Sequence, residues 1–459
     1  MSVFPAVLPA GGGVVSVQYS VPANGTLRLN GASVRVAAGS GTVRLLVPAT
    51  GRVEFVPTGT AAGTGDASVT VAAPPAAPRH RWLGGASPAG VELRDLNASL
   101  AVARSWPLAG PVAGVRGLAF DPVHGRLFVA YWDVFRSGTG QVAAFDLTGR
   151  ALWQRALQPS VDSLAVTPDG NRLLMPCGEE WTTCDSWSFL DAATGLPTGD
   201  APVHVHSGAH NTVVAPDGRT AYLAALGWNN LAVVDLTTGQ QRLVGPLAGN
   251  VRPFAVNAAG TLAVINEDRL SGFQVADLTT GKVLYTVSPP GFPVTTWPAL
   301  PETQSHGVAF SPDEREIWVS DAQYKAIHVF DATGLPGRAP TLLATIQLAQ
   351  PPKWINFSLD GRLAFISTGD VLDARDRTLV GRFTATREFL EVDETAGGGF
   401  ETNTRYGNGR RDPARPGTPA APGAVALKGD TLSWGATAGA AGFNLWRGPA
   451  GQPHTLAAT

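Results

Sequence analysis

A β-type run ending in Asp and followed by a turn recurs seven times in this chain. The copies are Asp95 in LRDLNAS, Asp146 in AFDLTGR, Asp191 in FLDAATG, Asp235 in VVDLTTG, Asp277 in VADLTTG, Asp331 in VFDATG and Asp373 in VLDARDRT. They lie 51, 45, 44, 42, 54 and 42 residues apart, a period that marks a repeat architecture. A second element precedes the last six copies: LAFDPVHGRLFVA, LAVTPDGNRLLMP, TVVAPDGRTAYLA, FAVNAAGTLAVIN, VAFSPDEREIWVS and INFSLDGRLAFIS. Each is two strands around a tight turn: Pro presets φ at the first turn position in four of the six, and Asp or Gly supports the rest. A unit of this length holds four short strands and cannot bury both faces of its own sheet, so the units must pack radially, as in a β-propeller. Six units carry both elements. A seventh assembles from both ends: REFLEVDE (387–394) supplies an inner strand and residues 81–108 the outer three, which leaves no sheet edge open at the closure.

The rest of the chain fits an all-β protein. Glycine (54) and proline (36) are abundant, whereas charged residues are only 15%, against about 25% in an average soluble protein. The net charge of -2 and the lack of a Lys/Arg stripe argue against nucleic acid as the main ligand. No apolar run reaches the roughly 18 residues that span a bilayer, so the chain is expected not to be membrane-spanning. Its opening, MSVFPAVLPAGGG, lacks the basic and apolar regions of a secretory signal, which fits a start that has been trimmed. Residues 1–75 read as short strands with turns about every ten residues, a small β-sandwich, and prolines in 76–80 mark a linker. The propeller is expected over 81–395, followed by a polar linker over 396–416. Residues 417–459, with Trp434 and FNLWRG, resemble the first half of a fibronectin type III domain. Such a sandwich needs roughly 90–100 residues, so the natural chain is expected to continue or the tail to pair elsewhere.

The pieces APDGRTAYLAALGWNNLAVVDLTTG and SPDEREIWVSDAQYKAIHVFD, with weaker copies between Arg81 and Glu394, resemble the YVTN-repeat, or YncE-like, family of seven-bladed propellers. The resemblance implies the fold. It leaves the activity open, because this architecture is similar in lactonases, uronate lyases, envelope binding proteins and surface-layer components.

Aligning the repeats on the apolar positions of the inner strand exposes a common site. Two residues before the first inward apolar residue stand Arg116, Asp162, His210, Arg252, His306, Lys353 and, in a less secure register, Glu388. All seven are charged or histidine. Inner-strand starts converge on one mouth of a propeller channel, so the pattern predicts a polar funnel of mixed charge, with a merely hydrated lining as the alternative. Loops between the second and third strands of each unit should open on the same face, bringing Asp133, Glu179, Glu180, Trp228, Asn229, Asn230, Glu267, Asp268, Asp321 and Asp370. Tyr131, Trp132, Trp181 and Trp228 could stack on a sugar ring or be ordinary rim residues. A proline-rich insertion, SPPGFPVTTWPALPETQ, precedes His306 and could act as a lid or simply be a stiffened loop.

The leading expectation is an exported or cell-envelope binding protein, whose funnel holds an anionic small molecule or acidic glycan and whose flanking sandwiches reach an envelope partner. Arg116, Arg252 and Lys353 would neutralise the carboxylate while the histidines donate hydrogen bonds. In the rival reading, a uronate lyase or lactonase, His210 or His306 would be the catalytic base beside an arginine pair. A third reading is a non-catalytic scaffold, favoured if the funnel charges pair with one another. His204, His206 and His210 in VHVHSGAH lack a carboxylate at ligand spacing, so no metal is expected; nor is any cofactor. No nucleophile elbow or dinucleotide fingerprint occurs. Cys177 and Cys184, the chain's two cysteines, suit a disulfide across a hairpin, with two inert buried thiols as the alternative.

Overall fold

The seven repeat aspartates play one part in the computed structural model, which describes residues 2–4, 13–21, 23–29, 32–47, 53–57, 78–134, 139–178, 184–293 and 304–403, with short strands at 426–428, 431–433, 443–444 and 457–458. Each ends the third strand of an antiparallel sheet, and its Oδ1 accepts the backbone N–H two residues on, at 2.7–3.1 Å. The carboxylate therefore closes an Asx turn into the fourth strand. In the other repeat element, Thr167, Ser311 and Ser358 donate their hydroxyls to Asp169, Asp313 and Asp360 at 2.6–2.7 Å, closing the turn between the first two strands.

These turns build seven sheets that form a seven-bladed β-propeller. Blade I contains the inner strand Glu388–Glu394 and then His80–Ser87, Gly90–Asp95 and Ala101–Trp106. The inner strands of blades II to VII are Gly114–Asp121, Ala165–Val166, Ala209–Val214, Val251–Val256, Val308–Phe310 and Ile355–Phe357. Blade I closes the ring as the repeat predicts: Phe389 lies opposite Gly85 and Val392 opposite Trp82. The sheet extends further than expected, because Phe400–Thr402, within the stretch read as linker, adds a fifth strand beside Glu388–Glu394. Phe400 packs edge-on to Phe120, and the Asn403 side chain donates to the Phe357 carbonyl, so this strand ties blade I to blades II and VII.

Large aromatics fill the seams between blades. Phe273 meets Phe330 at 5.2 Å, Trp318 meets Phe357 at 5.2 Å, and the Trp187 indole donates to Thr212 at 2.8 Å. Burying each such ring stabilises the stack by roughly 1.5–3 kcal/mol, which no blade could obtain alone. At the closing seam Arg81 meets Glu391 at 2.7 Å, Asp360 at 2.7 Å and Asp393 at 3.6 Å.

The N-terminal strands form two three-stranded sheets. One joins Ser2–Phe4, Gly13–Val21 and Gly39–Val47; the other joins Ala32–Val36, Gly25–Leu29 and Val53–Pro57. Val17 of the first and Leu27 of the second are fully buried. In the tail, Ala426–Lys428 pairs with Thr431–Ser433 and Phe443–Asn444 with Ala457–Ala458; the rest of the expected fibronectin-like segment, Trp434 included, lies outside the described residues. Among the described residues no helix is long and apolar enough to cross a membrane.

Candidate functional site

The start of each inner strand pairs with the end of the second strand in its blade, so the inner-strand starts share a face with the loops that follow the second strands. Gly114 lies opposite Trp132 and Val251 opposite Glu267. Three of the aligned residues occupy register breaks: Arg116 between Val115 and Gly117, His210 between Ala209 and Asn211, and Arg252 between Val251 and Phe254. A bulged residue leaves the ladder and its side chain is re-aimed, which turns a strand position into a rim position. Asp162, His306 and Lys353 precede the shorter inner strands of their blades, and Glu388 begins the closing strand.

The residue after four of the aligned positions, Arg116, Asp162, His210 and His306, meets the backbone of the next blade. Ser163 Oγ donates to the His210 carbonyl at 2.7 Å, and Asn211 Nδ2 to the Arg252 carbonyl at 3.1 Å. Gly117 and Gly307 make the same approach without a side chain. A Cβ on Gly117 would lie 3.0 Å from the Asp162 carbonyl oxygen, and one on Gly307 would fall on the Lys353 carbonyl. These contacts hold successive members of the ring at the spacing of adjacent backbones.

The charges are arranged differently from the open funnel expected. Arg116 lies over the Trp132 ring at 4.3 Å and pairs with buried Asp162 at 2.8 Å; the other Asp162 oxygen meets His210 Nδ1 at 3.0 Å. Burial alone would raise the Asp162 carboxyl, but Arg116 and His210 hold it well below the usual carboxylate range. Arg116 is thus already neutralised, because a fully buried carboxylate needs a cation beside it. Arg252 is paired too, with Nε donating to Asp268 at 2.6 Å.

His306 carries the opposite environment. Burial lowers its proton affinity well below the usual histidine range, and the positive charges of Lys353, Arg252 and Arg387, with His210, push the same way. Its Nδ1 is buried without a hydrogen-bond partner, its ring meets Trp354 edge-on at 5.4 Å, and its backbone N–H donates to Ser320 Oγ at 3.1 Å. Ser367 Oγ plays the corresponding part in blade VII, accepting the N–H groups of Lys353 and Trp354 at 2.8 and 3.1 Å. Sequence reading missed Arg387, Ser320 and Ser367. Arg387 could have been found, since it stands directly before Glu388, which is itself buried in the closing strand.

Trp228 stacks on His206 at 5.0 Å, so the indole face next to that imidazole is occupied. The three histidines of VHVHSGAH diverge: His204 pairs with Asp185 at 2.8 Å, His206 lies on Trp228 and His210 meets Asp162. Among the described residues no group of His, Cys, Asp and Glu is arranged to hold a metal ion. Of the remaining loop residues, Glu179, Glu180, Trp181 and Trp297 lie outside the described residues. Phe292, in the described part of the proline-rich insertion, packs at 4.5 Å from the His328 ring. Cys177 and Cys184 form a disulfide with Cα atoms 5.7 Å apart, packed with the apolar cluster that Trp228 also packs against.

Fold and site together define a seven-bladed propeller with a charged axial mouth. No family model matches this chain, and no curated protein matches it in sequence.

Proposed function

We propose that this protein is an exported or cell-envelope propeller of the YVTN-like type, and that its mouth binds an anionic small molecule or an acidic glycan. The observation that carries this reading is the run of Arg252, His306 and Lys353 on three consecutive blades, with Arg387 close enough for its charge to bear on His306. A carboxylate entering there meets the charges of Arg252, Lys353 and Arg387 around the unprotonated His306, in a setting where charge-assisted hydrogen bonds are strong. Arg116 is a rim support in this reading, because fully buried Asp162 compensates it; Arg252 is paired with the partly exposed Asp268, and both pairings are what the scaffold reading expects. The Cys177–Cys184 bond supports an oxidising compartment, and the N-terminal sheets would serve attachment to an envelope partner.

Calorimetric titration with oligogalacturonates tests the proposal. Binding should weaken at high salt, since exposed charges are screened over about 10 Å at 0.1 M ionic strength. Arg252→Ala should weaken it by about tenfold or more, the worth of one charge-assisted hydrogen bond. Folded protein that binds no acidic ligand overturns the reading in favour of a scaffold.

One observation favours an enzyme of uronate-lyase or lactonase type. His306 is kept unprotonated among cations with Nδ1 unpartnered, as a base that removes a proton beside a neutralised carboxylate must be. His210, held by Asp162, is the less suitable of the two histidines named as bases. If turnover accompanies binding, His306→Ala should lower the rate far more than the affinity.

A further inference from the structure

The segment that carries Arg252 into the ring is wrapped around two consecutive carboxylates. Glu267 ends the second strand of blade V, Leu262–Glu267, and Asp268 follows it. Glu267 has no solvent exposure; its Oε2 accepts the Gly249 N–H at 2.7 Å, and its Oε1 is buried without a hydrogen-bond partner. Asp268 reaches the same segment from its rim: Oδ1 takes the Arg252 Nε–H at 2.6 Å, Oδ2 the Asn250 amide at 3.1 Å, and the Asp268 N–H donates to the Asn250 carbonyl at 2.9 Å. Gly249 backs so closely onto Asp268 that a Cβ would strike its carbonyl oxygen.

We infer that Glu267 and Asp268 are positioning residues for Arg252, and that the protonation of Glu267 makes anion binding at the mouth depend on pH. Neutral Glu267 keeps residues 248–252 closed, with Asp268 aiming the guanidinium; ionised Glu267 is a buried charge that only water can stabilise well, so the segment loosens. The consequence for binding rests on the reading of Arg252 as part of the anion site.

Burial pushes the Glu267 carboxyl up to about 7, and the N–H groups of Gly249 and Ala248 pull it back only in part. A carboxyl raised in the closed form favours closure fully below its ordinary value, near 4.3, and loses that contribution as pH rises through about 7. The charged groups on the elements packed here, Asp268 and Arg252, are paired with each other. The outer strands of the blade bring neutral groups: Gln274 accepts the Ala248 N–H at 3.1 Å and donates to Thr286 at 2.6 Å. From blade IV, the carbonyls of Trp228 and Asn229 take the N–H groups of Val251 and Leu247, each at 2.8 Å. His210 and His306 flank Arg252 on the neighbouring blades, so a pH effect that originates in either should survive Glu267→Gln.

Hydrogen exchange and oligogalacturonate titration between about pH 6 and pH 8 test this on the full chain. Protection factors of Ala248 and Gly249 should fall by about fivefold or more across that range in the wild type and stay level in Glu267→Gln; the dissociation constant should rise in parallel only in the wild type. Asp268→Asn should weaken binding at every pH. Level protection in the wild type, or an equal fall in Glu267→Gln, overturns the inference, and the wild-type measurement stands even if the variant does not fold. Absence of binding at all pH values, with protection still following Glu267, overturns the anion-site reading and supports the loop device alone.

Discussion

Asp162 lies between Arg116 and His210 with no solvent exposure, so removing its carboxylate takes the Asp162 ion pair away from a largely enclosed guanidinium. Asp162→Ala should cost about 3–5 kcal/mol, read as a fall in the thermal midpoint. Because its pKa is depressed in the fold, Asp162 contributes stability above its unfolded value, near 3.9, and loses it as pH falls through the folded one. The gap between wild type and Asp162→Asn should therefore narrow below about pH 4, and a gap that stays constant through strong acid would refute the pairing. Gly307 makes the second case at this scale. Gly307→Ala drives a methyl onto the Lys353 carbonyl, and shifting one blade to relieve it should cost about 1–3 kcal/mol and weaken anion binding, because His306 and Lys353 move apart. The charged types of the ring could be read from the chain; the carbonyl contacts that space them could not, since they join residues about 45 positions apart in sequence.

The closing strand carries the clearest consequence at the scale of an element. Burial and the adjacent Glu391 charge push the Asp393 carboxyl up to about 9, so it stays protonated at neutral pH while Arg81 answers Glu391 and Asp360. A raised carboxyl favours the fold fully below its ordinary value and loses that contribution as pH rises through about 9. The wild type should lose stability on the alkaline side, and Asp393→Asn should lose less; melts of the two proteins from neutral to alkaline pH check this, with parallel curves as the contrary result. The Cys177–Cys184 bridge belongs to blade III, where it closes a loop of about eight residues worth about 2.5 kcal/mol in the chain-entropy description. Reduction should lower the melting temperature without changing the fold, and an unchanged melt would count against the bond.

For the whole molecule, the pairing of Glu388–Glu394 with His80–Ser87 joins the two ends of the propeller, so deleting residues 387–394 should destabilise every blade together. Loss of the single cooperative transition is expected, and a melt identical to the wild type would exclude this closure. The number of blades and the way the ring closes were legible in the chain, because Asx turns and Pro-Asp turns are local devices whose residues stand within a few positions of one another. The mouth was legible in part. The repeat placed Arg116, Asp162, His210, Arg252, His306 and Lys353 at equivalent strand starts, but which of them keep their charge depends on neighbours from other blades and loops. Asp162 neutralises Arg116 across a blade boundary, Asp268 reaches Arg252 from the loop after a strand, and Arg387 arrives from the far end of the chain. The bulges that turn Arg116, His210 and Arg252 out of their ladders have no fixed residue signature. Local turn chemistry and strand periodicity thus determined the architecture from the sequence alone. The balance of charge at the axis was decided by tertiary structure, because burial and long-range pairing set whether a carboxylate or an imidazole is charged and what compensates a guanidinium.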